Sequence, residues 1–132
     1  MDRIDVLLKA FIVSFGGFCG YSLGGWDTTL KVLGIMAAID YITGVFVAGF
    51  NGELKSKVGF KGIVKKVVLF LLVAADTQAD PIMGTNSAIR EATIFFFIGN
   101  ELLSLLENAG RIGIPLPSAV TNAVEILGGK QR

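Results

Sequence analysis

The stretch IFFFIGNELLSLLENAGRIGIPLP, residues 94–117, starts as apolar as a lipid-facing helix and then takes in Asn100, Glu101, Ser104, Glu107, Asn108 and Arg111. At about 100° per residue these groups do not scatter around a helix. Together with Thr93 they fall within an arc of roughly 120°, while Ile94, Ile98, Leu102, Leu105 and Leu106 fill the remainder. An ionised carboxylate at mid-bilayer costs about 2.5–3.5 kcal/mol even on the lenient insertion scale, so this stripe must face protein or water. The stretch reads as a membrane helix with one polar side, and it sets the expectation of an all-α, multi-span membrane domain.

The rest of the composition agrees. Apolar residues make up 52% of the 132, charged residues only 17%, and the mean hydropathy is +0.66, a departure from soluble domains toward the membrane class. The length suits one domain, residues 1–132. A net charge of +1 gives no electrostatic footprint for nucleic acid. With no His and the single Cys19, disulfide frameworks, zinc sites and Cys/His nucleophile pairs have no material. Neither a G-x-G-x-x-G pattern nor a P-loop is present. Neither an enzyme nor a cofactor is expected, and Cys19, set among glycines, reads as a packing residue.

Four apolar runs serve as candidate spans: residues 6–25, 32–50, 63–83 and 88–106. The first has Asp2, Arg3 and Asp5 ahead of it and no Ala-x-Ala site, so it reads as a retained helix rather than a secretory signal. Lys9 lies near enough to its start to snorkel. Gly16, Gly20 and Gly24 recur every four residues, a small-xxx-small pattern for close helix packing. Trp26 stands at the first polar break, where an interfacial aromatic belongs. The second run has the roughly 20 residues needed to cross about 30 Å of hydrocarbon, and its one interruption is Asp40, which shares a face with Thr43, Gly44 and Val47.

Residues 51–66 carry Lys55, Lys57, Lys61, Lys65 and Lys66 against the one acid Glu53. By the positive-inside rule this is a cytoplasmic loop, its lysines anchoring to anionic headgroups. The third run is diluted by Asp76, Gln78, Asp80 and Pro81, and is the weakest of the spans. Four crossings place both termini in the cytoplasm; three would put one terminus outside. The tail, 107–132, holds a short amphipathic cytoplasmic helix that starts at Ser118, has apolar positions Val120, Ala123, Val124 and Leu127, and stops at Gly128 and Gly129.

Asp40, Asp76 and Glu101 are then three acids in membrane-grade sequence. One account has them hydrogen-bonding between helices of a single chain, as glue. The other brings them together in an oligomer, or along an aqueous opening, with Asp40, Thr43, Asp76, Asn100, Glu101, Ser104, Glu107 and Asn108 as the oligomerisation or pore-lining set. Four helices of this size cannot enclose a wide channel alone, so a large pore needs many copies.

IDYITGVFVA (39–48), LKSKVGFKGIVKK (54–66) and FFFIGNELLSLLENAGRIGIPLP (95–117) resemble the motif blocks of a phage holin family that includes the toxin-secretion holins of clostridia. The resemblance spans roughly residues 35–117 and rests most on Asn-Glu-Leu-Leu-Ser and Glu-Asn-Ala-Gly. It implies a small protein of the bacterial cytoplasmic (inner) membrane that forms a homo-oligomer and opens lesions through which an endolysin or toxin escapes. The matching positions are Asp40, Thr43, Gly44, Ser56, Gly62, Lys66, Asn100, Glu101, Ser104, Glu107, Asn108, Gly110 and Pro117. The alternative from another class is a small ion or proton conductor that uses the acids as relay sites.

Overall fold

A computed structural model describes residues 2–129, and every regular element among them is a helix. Five follow in order: α1 (Arg3–Ser22), α2 (Thr28–Phe50), α3 (Ser56–Met83), α4 (Ala88–Ile112) and α5 (Ser118–Gly129). Their boundaries follow local chemistry. Asp27 caps α2 by accepting a hydrogen bond from the Leu30 amide at 3.0 Å. Pro81 cannot donate to the α3 ladder, and the helix ends three residues later at Gly84, in the left-handed conformation that favours glycine. Gly113, with φ of 103°, ends α4 in the same way.

Three helices make the bundle. Buried residues recur on α2 at Leu30, Leu33, Ala37, Asp40 and Val47, on α3 at Leu69, Val73 and Asp80, and on α4 at Arg90, Ile94 and Glu101. These spacings of three, four and seven lay one seam along each helix. α2 and α4 run parallel and pack directly on each other, with α3 antiparallel and set mainly against α4. The apolar core is small: Leu23, Leu30, Leu33, Leu69, Val73 and Ile94, of which Leu30, Leu33, Val73 and Ile94 are wholly sealed. A polar cluster closes the core at each end.

The outer surface is apolar. Phe46, Phe60, Leu71, Phe95 and Phe96 are each at least 60% exposed, the reverse of a soluble domain, in which large contiguous apolar patches are rare. α1 carries this furthest. Ile4, Leu7, Phe11, Ile12, Phe15 and Phe18 all face outward, and the helix buries only Gly20 near its C-terminal end. By length and composition α1 and α2 can cross a bilayer. α3, at 28 residues and about 42 Å, and α4, at 25, have the length with more charge.

Several boundaries differ from those read in sequence. The lysine-rich segment 51–66 is a loop only as far as Lys55; from Ser56 onward it is the first three turns of α3. Nothing in SKVGFKGIVKK breaks a helix apart from its two glycines, and charge density alone does not make a loop. α4 continues six residues beyond the expected end at 106, to Ile112, because the polar stripe continues along the same face. α5 spans Ser118–Gly129 as expected.

The glycine pattern also divides. α1 ends at Ser22, so Gly24 lies outside it, in the turn, with φ of 88°. There it lets the Arg90 side chain approach: a Cβ would lie 2.6 Å from Nε. Gly20 is covered by the ring of Trp26, whose indole Nε1 donates to the Gly16 carbonyl at 3.0 Å. The notch in α1 therefore holds the chain's own tryptophan rather than another helix of the bundle.

Candidate functional site

The expected polar residues meet on the seam where α2, α3 and α4 face one another. Lys66 Nζ lies 2.6 Å from Asp40 Oδ2 and 2.5 Å from Glu101 Oε2, so one ammonium bridges two carboxylates from two other helices. Asn108 Nδ2 donates to Asp40 Oδ1 at 3.1 Å and to Thr43 Oγ1 at 3.1 Å. Thr43 returns its own hydroxyl to the backbone carbonyls of Ile39 and Asp40. Gly44 faces Asn108, whose amide nitrogen would make ordinary contact with a Cβ there, at 3.7 Å.

The depth of this cluster matters. Along α2, Asp40 stands about 18 Å from Thr28 and about 15 Å from Phe50, counting 1.5 Å per residue. It is close to the midpoint of a helix long enough to cross a bilayer. At that depth an isolated charge is costly, and a hydrogen-bonded ion pair is the arrangement that offsets the cost. Among the described residues no buried side-chain nitrogen or oxygen lacks a hydrogen-bond partner. Within one chain Asp40, Glu101, Asn108 and Thr43 are thus hydrogen-bonded between helices.

Lys66 is the main departure. Expected at the membrane surface with Lys55, Lys57, Lys61 and Lys65, it turns inward instead, its side chain 22% exposed. The other four remain exposed. Lys57, Lys61 and Lys65 follow at intervals of four, along one outer stripe of α3, whereas Lys66 falls on the seam that continues through Leu69 and Val73. The signal was available: an apolar seam of α3 extended backward by three residues lands on Lys66.

A crevice of about 540 Å³ lies beside this cluster, between the C-terminal halves of α2 and α4 and the N-terminal half of α3. Asn100, Ser104 and Glu107 line it together with Asp40, Lys66 and Glu101, while Val45, Val68 and Leu72 supply apolar wall. Tyr41 braces one side. Its ring lies over Gly62, and its hydroxyl donates to the Gly59 carbonyl at 3.2 Å. Asp76 joins neither the crevice nor the ion cluster; it is half-buried on α3.

A second polar cluster, missed in the sequence, closes the opposite end. Arg90, 4% exposed, donates through Nε to the Leu23 carbonyl at 2.6 Å, through Nη2 to the Gly25 carbonyl at 3.2 Å, and through Nη1 to Asp27 Oδ2 at 2.9 Å. Asp80, 3% exposed, accepts from the Ile89 and Arg90 amides at 3.0 Å each and from the Thr85 hydroxyl. It satisfies the first free amides of α4 from the preceding helix. The hydrogen bond from Arg90 holds the Asp27 carboxyl well below its ordinary range, at about 2, outweighing the opposing effect of partial burial. A lone arginine in the fourth apolar run is the available clue, since such a cation needs an acid, and the acid of the run on its own face, Glu101, lies three turns away, about 16 Å at 1.5 Å per residue.

The comparisons with known proteins agree with one another. The sequence profile described as the bacteriophage holin family matches residues 17–129. A probable holin of Bacillus phage phi105 is 36% identical over 98 residues, covering 74% of this chain and 73% of its own. An uncharacterised protein of Listeria monocytogenes is 44% identical over 127 residues, 96% of this chain and 91% of its own. A 14.9 kDa protein encoded in the nagH 3' region of Clostridium perfringens is 31% identical over 132 residues, 99% of this chain and 100% of its own. No solved structure matches.

Proposed function

The chain belongs to the bacteriophage holin family, and from that membership we propose that it is a holin that oligomerises in the bacterial cytoplasmic membrane and opens lesions. Through these an endolysin or a secreted toxin passes, and lysis follows. Membership implies a non-enzymatic role. The observation that carries the reading is the inverted distribution of side chains, with Asp40, Lys66, Glu101 and Arg90 turned into the bundle and phenylalanines, leucines and isoleucines turned out. Such a molecule is at home only in lipid or among copies of itself.

In this reading α1 to α4 all cross the membrane. The exposed Lys55, Lys57, Lys61 and Lys65 hold the start of α3 at the cytoplasmic leaflet, where anionic headgroups attract them. The Asp27–Arg90 end then faces outward, and both termini lie in the cytoplasm. With the acids already satisfied inside one chain, copies meet through apolar faces, α1 foremost, because it has few neighbours of its own. Lesions form when the polar stripes of α2 and α4 exchange their internal partners for water.

Expression in a bacterium alongside a cytoplasmic endolysin tests this reading. Abrupt loss of membrane potential followed by lysis is expected. Intact potential and continued growth at high expression would refute it. Glu101→Leu is expected to alter the time of lysis, because it removes one of the two acceptors of Lys66.

A further inference from the structure

We propose that the crevice beside Lys66 is a water-filled vestibule, open to the cytoplasmic face alone, through which solvent and protons reach the Asp40–Lys66–Glu101 cluster at mid-membrane. The proposal rests on the membrane orientation given above and not on lesion formation.

Three observations carry it. First, the crevice has a polar wall: Asp40, Lys66, Glu101, Asn100, Ser104 and Asn108 all line it. An acyl chain occupying it would leave these groups facing hydrocarbon, while its volume of about 540 Å³ far exceeds the roughly 30 Å³ occupied by one water in the liquid. Second, Lys66 is the most accessible member of the cluster, at 22% against 9% for Asp40 and 4% for Glu101. Its ammonium has three N–H donors and gives two to the carboxylates, which leaves one for water in the crevice. Third, along the bundle the crevice has one open end and one sealed end. The crevice extends toward Leu54 and Lys55 at the basic end. In the other direction Leu33, Leu69, Val73 and Ile94 are sealed at 7% exposure or less, and they separate the cluster from Arg90 and Asp27.

The charges facing the cluster come from all three helices. Asp40 and Tyr41 come from α2, Lys65 and Lys66 from α3, and Glu101 and Glu107 from α4, with Lys55 just ahead of α3. Two carboxylates share one ammonium, so a proton arriving from the crevice has an acceptor within the cluster. Beyond the apolar plug it has no onward path. The closed molecule is thus wetted to its middle from one side and remains sealed.

Single cysteines in a Cys19→Ala background test this with a charged, membrane-impermeant thiol reagent applied to inside-out vesicles and to right-side-out spheroplasts. Ser104→Cys, in the crevice, is expected to react from the cytoplasmic face at least tenfold faster than from the outer face. Ile94→Cys, in the plug, is expected to react from neither. Lys57→Cys, on the outer basic stripe, marks the cytoplasmic side; its labelling from outside would overturn the orientation, while leaving the crevice comparison intact. Failure of Ser104→Cys to react from either face, as a lipid-filled crevice would give, overturns the proposal. Equal reaction from both faces, as a continuous channel would give, also overturns it. Infrared titration of the Cys19→Ala chain in sealed inside-out vesicles gives a second readout. A carboxyl band that follows the pH of the outer medium and disappears in Glu101→Gln is expected, and a band insensitive to that pH would refute proton access.

Discussion

The guanidinium of Arg90 reaches Asp27 across 63 residues of sequence, and on the way binds the carbonyls of Leu23 and Gly25. One side chain of α4 therefore fixes the turn from which α1 departs and the residue that caps α2. Breaking a buried pair on one side costs about 3–5 kcal/mol. Because Asp27 is 45% exposed and can be rehydrated, the lower end applies: Arg90→Met is expected to destabilise the detergent-solubilised protein by about 3 kcal/mol. Arg90→Lys is expected to recover only part, since an ammonium cannot reproduce the fork. Helicity followed through a denaturing-detergent titration measures both.

Acid should release this clamp late. The Asp27 carboxyl has a folded value of about 2 against an ordinary value of 3.8. A depressed carboxylate contributes stability that is fully present above the unfolded value and is lost as pH falls through the folded one. The contribution of Asp27 is therefore constant from neutrality to about pH 4 and fades between 3.8 and 2. The difference in stability between the parent and Asp27→Asn, measured at several pH values, should shrink over that window and nowhere above it.

Lys66 holds two acids apart from hydrocarbon, and its loss leaves both without a cation. Lys66→Met is expected to destabilise by about 3–5 kcal/mol. Replacing the whole set, as Asp40→Leu, Lys66→Met and Glu101→Leu together, should restore most of that loss, because apolar substitutes for buried ion sets are often neutral or better. A triple variant no more stable than the single one would show that the three charges do not act as a unit.

Trp26 is the sole tryptophan, so its fluorescence reports on the α1 notch without ambiguity. A side chain at Gly20 would collide with the indole ring. Gly20→Val is expected to expel it, break the hydrogen bond to the Gly16 carbonyl at a cost of about 1 kcal/mol, and change the emission maximum and quencher accessibility. Gly17→Val, where a Cβ meets nothing within 4 Å, should leave both unchanged.

Much of this was legible from residue order, for identifiable reasons. Helical period alone places Asn100, Glu101, Ser104 and Asn108 on one face of α4, and Asp40 with Thr43 and Gly44 on one face of α2; the structure joins the two faces through Asn108. A helical face is a local property and can be counted. Lys66 was misplaced because five lysines in twelve residues suggest a surface, and only the seam passing through Leu69 and Val73 distinguishes the one that turns inward. Arg90 and Asp80 were missed because their partners are set by how the chain folds back. Gly24 fitted a spacing of four but lies past the end of its helix, in the turn that Arg90 grips.

Asp80 belongs to α3 yet accepts the first amides of α4, and Thr85 of the intervening turn donates to the same carboxyl. The Asp80 carboxyl thus needs nothing from the remainder of the chain, whereas the Arg90 guanidinium beside it is satisfied only by Leu23, Gly25 and Asp27. α3 and α4 can leave the insertion machinery together as a hairpin whose tip acid is already masked by backbone amides, and the earlier helices then bring the partners of Arg90 and Lys66. Asp80→Ala should accordingly lower the yield of membrane-integrated chains made in vitro while leaving the rate of translation unchanged.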